Sequence, residues 1–400
     1  GEPLRLPLVA ELDNAVAVAF DPETDGFFVA EGGSGAALVN RVRQFDRDGK
    51  PTGWTLGRGG NAQGIWSPDA FAFSEGSGDI VVAQDGSLWV NPGWRHKLYR
   101  AFRSLSHFTR DGEYTHTIMG VASFSGIAAD RDLSVYIGGQ VKVDIENRPV
   151  WTSGLVRSGS GDGFPSTHVD FWPTAPVMVG RRLFIYGEAD GSLFELDPAT
   201  GRCDREPGAF YKVPAKSALA GSDDALYCLK KDDSRIYRVP LELRGELEPI
   251  ADLAEPPVND ARLAVSADGS LACVRRGETL TAYQLPDGKT LWTRPARGGV
   301  VVLGDMVVTG APGTGHAGLQ VLDAGGGTKL CMIGDRKIRG VAPFPVGAPI
   351  AGVSTDDGHY LFVEAGGGIP VLKLAHHTAE NVTPPNVPVE PRPEEDGNAK

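Results

Sequence analysis

Residues 93–103 read Gly-Trp-Arg-His-Lys-Leu-Tyr-Arg-Ala-Phe-Arg, the most unusual local composition in the chain. Aromatic rings beside cationic donors suit two kinds of ligand: sugar rings by stacking, and anionic groups by bidentate arginine pairing. Trp66 and Trp172 lie in two other long loops, and His168 sits between a Gly-Ser-Gly-Asp-Gly run and Phe171-Trp172. Trp66, Trp94, Arg95, Lys97, His168 and Trp172 therefore form the expected ligand-binding set. The same aromatics would also serve as packing between neighbouring sheets. If the chain is an enzyme, His168 and Arg95 are the expected catalytic pair. His96, His107, His116, His316 and His359 lack any Ser/His/Asp spacing, HExxH or phosphate loop around them. His107 and His116 flank a Asp-Gly-Glu turn and read as cross-strand neighbours of one hairpin.

A second constellation consists of oxygen donors placed just before apolar runs: Asp13, Asn14, Asp69, Asn259 and Asp260. Hard cations need such ligands, so calcium is the ion they would hold; the same residue types also form ordinary turns. No cofactor is otherwise required. Cys203, Cys228, Cys273 and Cys331 are isolated, without CxxC spacing. Cys228 and Cys273, inside strand-like runs of consecutive units, are expected to be buried free thiols, and the sequence leaves the disulfide state of the four open.

The elements that must position these groups are short strands. Residues 15–50 hold three β-patterned runs closed by DPETDG and DRDGK turns. A unit of that size cannot bury its own faces and must be stacked on copies. Turns expected before the last strand of each copy are marked by Asp46, Asp111, Glu146, Asp197, Leu243, Asp287, Asp323 and Glu364. Their spacing, about 35 to 65 residues, is that of four-stranded propeller blades. The prediction is an all-β fold: a single β-propeller with eight blades of four antiparallel strands over 15–374, seven blades being the alternative. Residues 1–14 supply an N-terminal strand suited to ring closure, and 375–400 a Pro- and acid-rich tail or linker to another module.

The first unit resembles an NHL-repeat blade, with VAFDPETDGFFVAEGG followed by NRVRQFDRDGK, and units four to seven resemble quinoprotein-like blades, as in LFELDPATGR and LTAYQLPDGKTLW. Both resemblances imply a propeller and neither implies an activity. The adjacent cysteine pair of quinone-cofactor dehydrogenases is absent. In class the chain is similar to lactonase-type propellers, which implies a metal-dependent hydrolase using the channel oxygens. Propeller polysaccharide lyases use His/Tyr/Arg groups in such clefts and imply the His168 and Arg95 roles.

In an up-and-down blade, the loop between strands two and three shares one face with the connections between blades. Residues 57–69, 91–103 and 156–173 fall there. So do Lys212, Lys216, Lys230, Lys231, Arg275, Arg276, Arg294, Arg297, Arg336, Lys337 and Arg339, opposed by Glu188, Asp190, Asp232, Asp233 and Glu278. Fifty-three Gly and 29 Pro favour many turns over helices. A net charge of −12 argues against nucleic-acid binding, and no apolar run is long enough to span a membrane. The expectation is a non-catalytic binding propeller, extracellular, cell-surface or periplasmic, taking a protein partner or an anionic glycan on its long-loop face. The enzyme alternatives are the hydrolase and the lyase.

Overall fold

The computed structural model describes residues 12, 14–32, 40–57, 64–65, 67–71, 73, 78–91, 102–121, 126–138, 141–146, 148–152, 155–157, 167–169, 175–187, 191–203, 211–231, 233–241, 245–253, 261–313, 318–334, 350–363, 369–375 and 378–381. These residues form no helix and build eight antiparallel blade sheets, the predicted blade count: seven have four strands, and the third has a fifth, short strand added at its outer edge. The blades span 15–56, 79–121, 127–152, 175–212, 218–252, 262–295, 297–333 and 350–381. Each is an up-and-down meander whose first strand lies at one sheet edge. The hairpins close as the composition predicts. At Asp46-Arg47-Asp48-Gly49, the Asp46 carboxylate accepts from the Lys50 amide at 2.8 Å, and Gly49 supplies a φ of 78°.

Six of the eight turn markers fall between third and fourth strands, and a seventh, Asp323, ends the third strand of its blade at that turn. Glu364 instead follows the second strand of the last blade, Gly358–Val363. The Gly-rich sequence after it carries turn chemistry, whereas the third and fourth strands of this blade are Val371–Ala375 and Thr378–Asn381. The blade thus ends past the predicted limit at residue 374. It draws all four strands from 350–381, and residues 1–11, expected to close the ring, lie outside the described residues.

Among the described residues the blades pack in two groups. Blades 3 to 8 are joined consecutively by buried clusters, for example Cys273 and Trp292 against Val307 and Leu322 between blades 6 and 7. The circle closes where Phe362 and Val371 of blade 8 meet Val135 and Val143 of blade 3. Blades 1 and 2 share their own cluster, with Phe28 and Val42 against Leu88 and Phe108. They are also clamped by Arg110, whose guanidinium reaches the fully buried Asp21 carboxylate at 2.9 Å. Burial raises the Asp21 pKa, but hydrogen bonds from Thr24 and Arg110 outweigh it and hold the carboxyl below its ordinary value. A short strand between blades 1 and 2, Gly64–Ile65, pairs with the fourth strand of blade 3, Pro149–Thr152.

Tryptophans on fourth strands join a blade to the next. Trp151 donates its indole N–H to Pro198 O at 2.9 Å, and Trp292 donates to Ala324 O at 2.8 Å. Each ring lies under a glycine of the following blade's last turn, Gly201 (φ 69°) and Gly327 (φ 64°), where an added Cβ would fall within 3 Å of the ring.

Candidate functional site

The six inner strands of blades 3 to 8 surround a channel of about 790 Å³. Because each is an edge strand of its sheet, their outer backbone N–H and C=O groups are directed to the channel rather than to a further strand. The wall is formed by small and apolar residues such as Ala128, Met178, Leu219, Val302 and Gly352. Among the described lining residues, charge enters at the end where the inner strands begin. There Arg262, Arg275, Glu278 and Arg297 line the mouth.

Local structure explains how they meet. Counting outward from the Ser-Ala-Asp-Gly-Ser turn of blade 6, Val265 opposes Ala272, Leu263 opposes Val274 and Arg262 opposes Arg275. The two arginines are direct cross-strand neighbours on the face turned to blade 7, the face of Ala264 and Cys273. Arg275 is buried and donates to Gly277 O at 2.6 Å. Arg262 is exposed, and none of the described residues pairs with it. Arg297 begins the inner strand of blade 7 at a β-bulge, with Gly298 at φ 68°, and its guanidinium contacts Gly313 O and the Glu278 carboxylate. Like charges directly opposed across a ladder destabilise it, and among the described lining residues three arginines stand with one glutamate. The mouth is therefore electropositive within an acidic protein and chemically suited to an oxyanion.

Arg275, Arg297 and Glu278 lie on the face to which the sequence assigns them. Arg262 carries no local motif; its place at the mouth is signalled by strand counting from the turn at 266–270, which sets it opposite Arg275. Trp66, Trp94, Arg95, Lys97 and Trp172 lie outside the described residues, as do Asp13, Asn259 and Asp260. His168 lies in the strand Thr167–Val169, which pairs in parallel with Leu155–Arg157 in the connection from blade 3 to blade 4; its side chain is outside the description. Asn14 is exposed, with φ 52°, and its carbonyl accepts from the Gly32 amide. Asp69 accepts from the Ser67 hydroxyl. Both belong to the approaches to blades 1 and 2, and neither lines the channel. Among the described residues, no three metal-ligating side chains cluster.

His107 and His116 are the cross-strand pair expected from their spacing. Their ring centroids are 5.2 Å apart, Trp89 lies 4.4 Å from His107, and both Nδ1 atoms meet the Thr115 hydroxyl, at 2.6 and 2.8 Å. All four cysteines are free, and burial pushes the Cys228 and Cys273 thiols up to about 12, which makes them poor nucleophiles.

No protein-family model matches this sequence, and no curated protein does either. Solved structures are similar in fold. A hydrazine synthase structure from Kuenenia stuttgartiensis shares 13% identity over 81% of this chain and 99% of its own, with a TM-score of 0.37. A chain of a nidogen/laminin complex shares 13% identity over 57% and 88%, also with a TM-score of 0.37. The β-propeller domain of Cps50 (Swd1) from Myceliophteria thermophila shares 14% identity over 80% and 96%, with a TM-score of 0.30. The β-propeller fold is read from the chain's own eight meander sheets. Nothing about activity or partners follows from likenesses at these identities and TM-scores.

Proposed function

We propose that this chain is a non-catalytic binding propeller that takes an acidic segment of a protein partner at the mouth of its channel. The observation that carries this reading is the direct opposition of Arg262 and Arg275, reinforced by Arg297, at the one charged end of an otherwise small-residue channel. Guanidinium groups held in this way favour a carboxylate between them. The backbone edges of the inner strands add donors and acceptors suited to a peptide, which is why a protein segment is preferred to a glycan.

The test is fluorescence anisotropy with a fluorescein-labelled hexaglutamate peptide, repeated with labelled oligogalacturonate. The peptide should bind, affinity should fall as salt rises, and Arg262→Ala should weaken it about tenfold or more, the loss of one charge-assisted contact. Tighter binding of the uronate would transfer the site to an anionic glycan. Equal affinity of wild type and Arg262→Ala for both probes would remove the mouth from the function.

A further inference from the structure

We propose that Glu278 is a built-in competitor for the ligand of this mouth: it occupies the Arg297 guanidinium and gives way to a carboxylate of the incoming acidic segment. The inference rests on the reading of the mouth given above and adds to it the chemistry of the exchanged group and a residue that sets the affinity.

The two partners are held very differently. Arg297 is fixed. Its guanidinium donates to Gly313 O at 2.6 Å, and its own carbonyl, with that of Gly299, lies within 3.2 and 3.0 Å of the hydroxyl of the fully buried Thr309. The bulge between Arg297 and Val300 turns this anchored residue toward the mouth. Its side chain is 26% exposed. Glu278 is 70% exposed and stands on the two-residue turn Gly277-Glu278; its carboxylate has Arg297 as its partner. An exposed pair of this kind is weak, and moving a glutamate aside costs no buried contact. Its carboxylate nevertheless neutralises one of the three arginines that line the mouth, so the site as folded is already partly filled by a chemical mimic of its ligand. Displacement exchanges one carboxylate for another on the same guanidinium, which selects carboxylate ligands presented together with a second acidic group for Arg262 and Arg275.

The test uses the full chain and the labelled hexaglutamate peptide, with thermal melts to verify folding. Glu278→Gln should bind about three- to tenfold more tightly, with a steeper salt dependence. The gain should vanish in an Arg297→Ala background, since the competitor would have nothing left to occupy. Unchanged or weaker binding by Glu278→Gln while Arg262→Ala still loses affinity would overturn the competitor and leave the binding site intact. A gain that persists without Arg297 would reduce the effect to general charge and overturn it too. Loss of both effects together would sink the mouth reading itself.

Discussion

His107 is held by its surroundings in a state that resists protonation. Partial burial is the main cause of its lowered pKa, the neighbouring His116 adds to it, and Asp85 acts in the opposite sense. Above pH 6.5 the imidazole is neutral in both folded and unfolded chains. Between 6.5 and its folded value only the unfolded chain takes up the proton, so stability is lost as pH falls through that window. Proton NMR titration of the His107 ring should therefore give a midpoint below 6.5. His116→Ala should move that midpoint upward without restoring it fully, because burial remains. A midpoint at or above 6.5 would show that the pair is solvated and electrically indifferent. The arginines of the channel mouth illustrate the complementary case: guanidinium stays charged whatever its burial, so only the arrangement of its partners can tune it.

At the scale of elements, the blade is held to its neighbour by an indole and a glycine acting together. Gly327 has φ 64°, and a Cβ there would lie 2.6 Å from the Trp292 ring. Gly327→Ala combines an unfavourable backbone region with a clash and should cost about 1–3 kcal/mol in denaturant unfolding. Trp292→Phe keeps most of the packing but leaves the Ala324 carbonyl without its donor, costing about 1–3 kcal/mol. Because the two residues form one contact, the double variant should cost less than the sum; strict additivity would mean that the latch is no unit. This scale was also the most legible from sequence. Asp/Gly turns recur for reasons internal to a hairpin, so seven third-to-fourth-strand turns could be read directly. The eighth marker, Glu364, belongs to a Gly-rich sequence after Val363 whose residue types match those turns, although the third strand of that blade comes only later, at Val371–Ala375. The mouth was only half legible. Arg275, Arg297 and Glu278 could be assigned to a face by blade order, but the opposition of Arg262 to Arg275 depends on register, which emerges only by counting along both strands. The predicted aromatic and oxygen-donor sites rested on local composition, which does not say what the fold brings together.

At the scale of the whole molecule, counting repeats and tracing their closure are different problems. Each blade's sequence reports its own strands, but which blade meets which is set by the fit of faces distant in sequence. Among the described residues, the cluster of Phe28, Val42, Leu88 and Phe108 shares no residue with the clusters that join blades 3 to 8. Cooperative unfolding follows shared burial, so two groups with separate cores should melt separately even though one chain links them. Calorimetry should resolve two transitions. Phe28→Ala, which empties a site 1% exposed in the pair, should shift one of them by the equivalent of about 3–5 kcal/mol. Leu361→Ala, at a fully buried site joining blades 7 and 8, should shift the other by about 2–5 kcal/mol. Each variant should leave its non-target transition in place, whereas a single transition moved by both would mean that the pair and the ring unfold as one body. The channel-mouth site belongs wholly to the ring. Ligand binding should therefore raise the transition that Leu361→Ala lowers and leave the Phe28-dependent one where it is, which assigns the site to its structural unit without removing any part of the chain.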